Sequence, residues 1–169
     1  MPHRSRMQRL WRHLVTDRGD ISRAFPAAEL ARVENAIAQG EQRHAGQVCF
    51  AIEAALPLAR VWHGVKPRER ALEVFGSLRV WDTEGNDGVL VYVLLADRDV
   101  EIVADRGIHA RVGDDGWRSI VRAMEAKFRA GRYAEGAEEG IRAVSDVLAQ
   151  HSPRRGGERN ELSDKPVVL

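Results

Sequence analysis

Carboxylates gather at two places in this 169-residue sequence, and both flank one apolar run. Asp82, Glu84, Asn86 and Asp87 precede Val89-Leu90-Val91-Tyr92-Val93-Leu94-Leu95, Asp97 and Asp99 follow it, and Asp105-Arg106 comes one short segment later. Oxygen donors this close in sequence suit a hard cation, Ca²⁺ or Mg²⁺. Ca²⁺ takes about six to eight oxygens, which loops supply better than helix faces. The spacing is not that of an EF-hand loop, and the same residues serve equally as solvated turn acids. A cation here would generate hydroxide or clamp a phosphate without a protein nucleophile. Arg106 would offer that phosphate two donors, its alternative being a surface ion pair.

The elements that must position these groups follow from the apolar run. It is too short for a membrane span and is β-branched, so it reads as a strand covered on both faces. After Asp97-Arg98-Asp99 the chain resumes with Val100, Ile102 and Ala104 alternating with Glu101, Val103 and Asp105, a tight turn and an antiparallel return. The ends of such a strand lie about 20 Å apart at ~3.3 Å per residue, so Asp87 and Asp97 cannot share an ion. The return brings Asp105 beside the start of the strand. The candidate metal set is therefore Asp82, Glu84, Asn86, Asp87 and Asp105, with Arg106 as the phosphate contact. The immediate return also excludes an aspartyl-phosphate reading of Asp97-x-Asp99, which needs the strand to run into a phosphate-cradling loop and helix. Nucleophile-elbow, Walker, dinucleotide and zinc-protease signatures are missing. His63 and His109 sit near breaks as hydrogen-bonded bystanders or acid–base groups, and Trp62, Trp81 and Trp117 read as core and rim.

Upstream, Arg4, Arg6, Arg9, Arg12 and Arg18 surround Met7, Leu10, Trp11, Leu14 and Val15 at helical spacing. This basic amphipathic segment (residues 1–24, its helix within 1–18) either packs its apolar stripe on the domain or contacts an anionic membrane surface or a protein partner. Gly19–Phe25 reads as a connector, and a helix follows from Pro26 to about Arg43. A strand at Gln47–Ala54 precedes an irregular stretch, Leu56–Lys66, and a helix from Pro67 with Ala71, Leu72, Val74, Phe75 and Leu78 inward. Strand, helix, strand predicts a right-handed parallel crossover from 47–54 to 88–95. Asp114-Asp115 reads as the cap of a third helix ending at Gly131, a fourth runs from about Tyr133 to Gln150, and 152–169 reads as a disordered tail. The fold class is α/β: a three-layer α/β/α sandwich around a small mixed sheet.

Lysine and arginine number 26 against 25 acids, so no whole-molecule field invites nucleic acid. The single cysteine, Cys49, sits in an apolar run and excludes an internal disulfide and a cysteine-rich zinc site. With no apolar leader or transmembrane stretch, the expected location is the cytoplasm, including the inner face of the membrane.

Over residues 25–151 the sequence resembles the TPM domain, a family named for a thylakoid lumen protein, a photosystem II repair protein and a nematode receptor-associated protein. The resemblance is carried by Asn86-Asp87-Gly88-Val89-Leu90, Asp97-Arg98 with Val100 and Ile102, Gly107-Ile108, and Phe128-Arg129-Ala130-Gly131-Arg132-Tyr133 with Gly136. It implies an α/β/α sandwich and a short bacterial member without signal peptide or anchor. It also implies one of two roles. The first is an accessory binding domain in membrane or envelope protein maintenance. The second is a divalent-metal-dependent acid phosphatase-like hydrolase. The chain departs from the family pattern, which has Asp-Asn-Gly before the central strand and a glutamate where Val103 stands.

Overall fold

The computed structural model describes residues 2–157 and 159–169, and the side chain of Arg4 lies outside the described residues. Its centre is a sheet of four strands: β1 (Gln47–Glu53), β2 (Gly88–Leu94), β3 (Asp99–Ala104) and β4 (Val167–Val168), in the order β3-β2-β1-β4. β1 and β2 pair in parallel from Gln47 opposite Gly88 to Glu53 opposite Leu94, and β3 returns antiparallel from Asp99 opposite Leu94 to Ala104 opposite Val89. Every residue of β1 and β2 is buried, as a strand covered on both faces requires.

Alternation sorts the strand residues into two cores. Val48, Phe50 and Ile52 with Val89, Val91 and Val93 face helices α3 (Ala27–Glu41), α6 (Arg106–Arg129) and α7 (Tyr133–His151), through Val33, Ile37, Met124, Phe128, Ile141 and Leu148. Cys49, Ala51, Leu90, Tyr92 and Leu94 face the other way, onto Val61 of α4 (Leu58–Trp62) and Ala71 and Val74 of α5 (Pro67–Ser77). Each fully buried aliphatic side chain contributes about 1.5–3 kcal/mol over its exposed state. The result is the three-layer α/β/α sandwich with a mixed sheet that the sequence implies.

Five details differ from the sequence reading. Gly19–Phe25 is no connector: Asp17 and Asp20 form a reciprocal capping box that starts α2 (Arg18–Ala24), and Ile21 and Phe25 insert into the core. The stretch 56–66 contains α4. Leu72, expected inward, is 51% exposed. The third helix begins at Arg106 with Asp105 as its N-cap, and the pair Asp114-Asp115 only follows a break at Gly113 (φ 74°, ψ 170°). Finally, the expected disordered tail packs on the domain. β4 pairs in parallel with β1, the Leu169 N–H donates to Ile52 O at 2.9 Å, and Leu162, Val167 and Leu169 pack on the second core.

Candidate functional site

The loop between α5 and β2 is shaped by backbone fit. A Cβ on Gly88 would stand 1.9 Å from the Val80 carbonyl oxygen, and one on Gly107 would stand 2.6 Å from the Asn86 carbonyl oxygen. Glycine at both positions lets the loop, the central strand and the start of α6 close on one another. The Asp105 N–H donates to Gly88 O at 2.8 Å and the Ile108 N–H to Asn86 O at 3.2 Å. Asp105 thus returns beside the start of β2, as the hairpin requires.

The side chains do not converge as the backbone does. Asp82 is exposed and paired with Arg79. The Glu84 N–H donates to the Glu161 carboxylate at 3.1 Å. Asn86 takes a left-handed backbone (φ 50°) and contributes its carbonyl to α6. Asp87, 4% exposed, accepts from the Ser152 hydroxyl at 3.1 Å, and burial raises its pKa above the usual carboxylate value. Asp105 caps α6 by accepting from the Arg106 N–H at 2.6 Å, while its Oδ2 is buried without a partner. Arg106 points to solvent. A polar cavity of about 360 Å³ gathers Glu84, Asp87, Arg159 and Glu161 but not Asp82, Asn86, Asp105 or Arg106. Among the described residues no three histidine, cysteine or acidic side chains form a metal-holding group. A divalent cation needing about six oxygens does not fit these residues as placed, even with one orphaned carboxylate oxygen nearby.

At the carboxyl ends of β1 and β2, where open α/β sheets bind ligands, the carboxylate is already saturated. Glu53 accepts from Arg70 at 2.8 and 3.1 Å and from the Tyr92 hydroxyl at 2.6 Å. Burial and the Glu53 contact push the Tyr92 phenol well above its ordinary pKa, so the group holds its proton. Cys49 is buried and its thiol is pushed up to about 11, which makes it inert. Of the two histidines read near breaks, His109 lies in the first turn of α6, partly exposed, with its Nε2 3.5 Å from Asp114.

The hairpin tip holds an arrangement that spacing alone does not reveal. Helix α1 (Pro2–Val15) lies against α4 and the β2–β3 turn. Arg9 Nε donates to Asp97 Oδ2 at 2.9 Å and Arg12 to Oδ1 at 3.2 Å, and His13 Nε2 stands 3.2 Å from Oδ2, out of line for a straight hydrogen bond. His13 Nδ1 accepts from the Leu56 N–H at 2.9 Å, which fixes its tautomer with the proton on Nε2. Burial pushes the Asp97 carboxyl up, but His13 and Arg9 outweigh it and hold the group below its ordinary pKa.

With Arg9, Arg12 and His13 turned toward the domain and Leu10 packed on the second core, the other apolar residues of α1 face out. Met7, Trp11, Leu14 and Val15 are 61%, 64%, 59% and 52% exposed. They sit at i, i+4, i+7 and i+8, one stripe roughly 100° wide. Of the stripe read in sequence, Leu10 does pack on the second core, and for these four residues the expectation of packing on the domain is corrected. The signal was present in sequence: Arg9 and His13 are four residues apart, and so share a face opposite to the stripe.

Comparison with known families matches the model of the TPM domain to residues 19–147. Among solved structures, the chain is similar to the BA42 protein from the psychrophilic bacterium Bizionia argentinensis, with 26% identity and TM-score 0.76, covering 86% of this chain and 95% of that one. It also shares its fold with the N-terminal domain of a protein from P. gingivalis, at 23% identity and TM-score 0.59, covering 78% of this chain and 83% of that one. No curated protein matches the chain.

Proposed function

The chain belongs to the TPM domain family, and from that premise we propose that it is a non-catalytic binding domain in membrane or envelope protein maintenance, held on an anionic membrane surface by α1. The observation that carries this reading is the orientation of α1, charged face docked on Asp97 and apolar stripe in solvent. A helix that spends two arginines and a histidine on fixing itself to the domain, while leaving a tryptophan, a leucine, a methionine and a valine outside, is arranged for an external apolar contact. Tryptophan suits the headgroup level of a bilayer, and Arg6 and Arg18, both exposed, add attraction to anionic lipid. Among the described residues no helix is long and apolar enough to cross a membrane. The attachment proposed is peripheral, at the inner membrane face, and weak enough to be reversible.

The metal-assisted phosphatase reading gains no comparable support, since its acidic residues are spent on caps, turns and ion pairs. The test is co-sedimentation of the full chain with phosphatidylglycerol and phosphatidylcholine vesicles, alongside a Trp11→Ser/Leu14→Ser variant. Binding to the anionic vesicles that the variant loses is the expected result. Equal binding to both vesicle types, or none to either, would overturn the reading.

A further inference from the structure

Next to α1, a second cavity of about 470 Å³ opens between α1, α2 and the β2–β3 turn. Its lining combines two kinds of surface. Val15, Ala24, Leu95 and Ala96 are apolar, while Arg12, Arg23 and Arg98 bring three guanidinium groups to one crevice. Resting on the membrane-attachment reading above, we propose that this crevice holds the phosphate of an anionic glycerophospholipid headgroup while the α1 stripe lies among the acyl chains.

Charge is the first argument. Asp20 is the one acidic residue in the lining, and its oxygens are turned to its own neighbours: Oδ2 accepts from the Asp17 N–H at 2.9 Å and Oδ1 from Arg23. Arg12 is held at the rim by Asp97. Arg98 makes no side-chain hydrogen bond or ion pair among the described residues, and its backbone is held in the left-handed region (φ 51°) that closes the hairpin. An arginine at φ > 0 is uncommon, and this backbone fixes where its side chain leaves the turn. Guanidinium is the group that meets phosphate with paired donors.

Rigidity is the second. Tyr133 lines the crevice while its ring packs on Phe25 and Phe128 at 6.0 and 5.2 Å between centroids, so one wall is part of the core. Position is the third. Arg12 and Val15 belong both to the crevice and to α1, and Val15 is also the last residue of the exposed stripe. A ligand that fills the crevice and touches the stripe has an anionic head and an apolar body, which commits the proposal to a phospholipid over a small soluble phosphate.

The experiment combines vesicle co-sedimentation with backbone amide shifts. Arg98→Asn removes the guanidinium with a residue that tolerates the left-handed backbone, and Arg23→Gln is a second variant at an exposed position; each should fold as judged by circular dichroism. Each is expected to lower partition onto phosphatidylglycerol vesicles roughly fivefold. Soluble dihexanoyl phosphatidylglycerol should shift the amides of Ala96, Arg98, Gly131 and Tyr133 in the wild type and leave them unmoved in Arg98→Asn. If the wild type sediments but both variants sediment equally well, the crevice proposal is wrong and α1 alone attaches the domain. If inorganic phosphate shifts the same amides while sedimentation ignores both variants, the crevice takes a soluble phosphate and the lipid assignment is overturned. A wild type that binds no vesicle defeats the attachment reading itself.

Discussion

Single residues decide where the charge of this domain goes. Asp97, read in sequence as a turn acid, is buried against Arg9, Arg12 and His13, so Asp97→Asn would strand a guanidinium and weaken the seat of α1. Breaking a fully buried pair costs about 3–5 kcal/mol, and with Arg9 a fifth exposed the expectation is about 2–3 kcal/mol by urea denaturation at pH 7. Because the folded Asp97 pKa is depressed, this stabilisation is complete above the unfolded value near 3.9 and is lost as pH falls through the lower folded value. Glu41 works in the opposite sense. Burial raises it from 4.5 to about 7, so the folded state favours the protonated form and stability declines as pH rises from about 4.5 to 7. Glu41→Gln keeps an oxygen acceptor for the Val48 N–H, which Glu41 receives at 3.2 Å, and removes the titration. Its stability relative to wild type should climb across that window, by on the order of 2–3 kcal/mol. Parallel denaturation series at pH 4.5 and 7.5 would settle it, and a pH-independent difference would show that Glu41 is not the titrating group. Gly88 leaves no room at all, since the nearest atom to an added Cβ is backbone. Gly88→Ala should cost at least about 3 kcal/mol in the same assay, the upper range for overpacking.

At the scale of elements, what sequence made legible was whatever rested on burial periodicity. The all-apolar run became the central strand, and the Asp97–Asp99 break became its turn, because seven buried residues in succession admit few other solutions. Elements that rest on few apolar residues were hidden. α2 buries little beyond Ile21 and ends on Phe25, and its start is a capping box made of two aspartates rather than the serine or threonine with glutamate that marks most such boxes. The C-terminal strand is two residues long, Val167–Val168, and gains its place by pairing with β1 and by packing Val167 and its neighbour Leu169 on the second core. Its contribution can be measured: removing residues 163–169 should lower stability by about 2 kcal/mol, from the partly buried Val167 and Leu169 and the Leu169 N–H to Ile52 O hydrogen bond, while helical circular dichroism is retained. A truncation that denatures at the same urea concentration as the full chain would mean that this strand adds nothing.

For the whole molecule, the candidate site shows what a one-dimensional reading lacks. Asp82, Glu84, Asn86 and Asp87 are neighbours in sequence, yet the loop sends them to an arginine, a backbone contact, a left-handed turn and a buried serine. Spacing brings donors near one another, but only the direction of each side chain makes a ligand shell, and the loop is held by partners far along the chain: Ser152 on the Asp87 carboxylate and Glu161 on the Glu84 N–H. The consequence is a prediction about metal. A cation that binds the folded state at one hundred times its dissociation constant stabilises it by about 2.7 kcal/mol, which for a domain of this size raises the melting temperature by several degrees. Since no three acidic, histidine or cysteine side chains form a group that could hold a metal among the described residues, Ca²⁺ or Mg²⁺ at millimolar concentration is expected to move the thermal midpoint by less than about one degree. Differential scanning fluorimetry with each ion, repeated on Asp87→Asn and Asp105→Asn, makes the comparison. A rise of several degrees that either substitution abolishes would require the 82–87 loop to rearrange until Asp105 Oδ2, buried here without a partner, faces Asp87 across one ion.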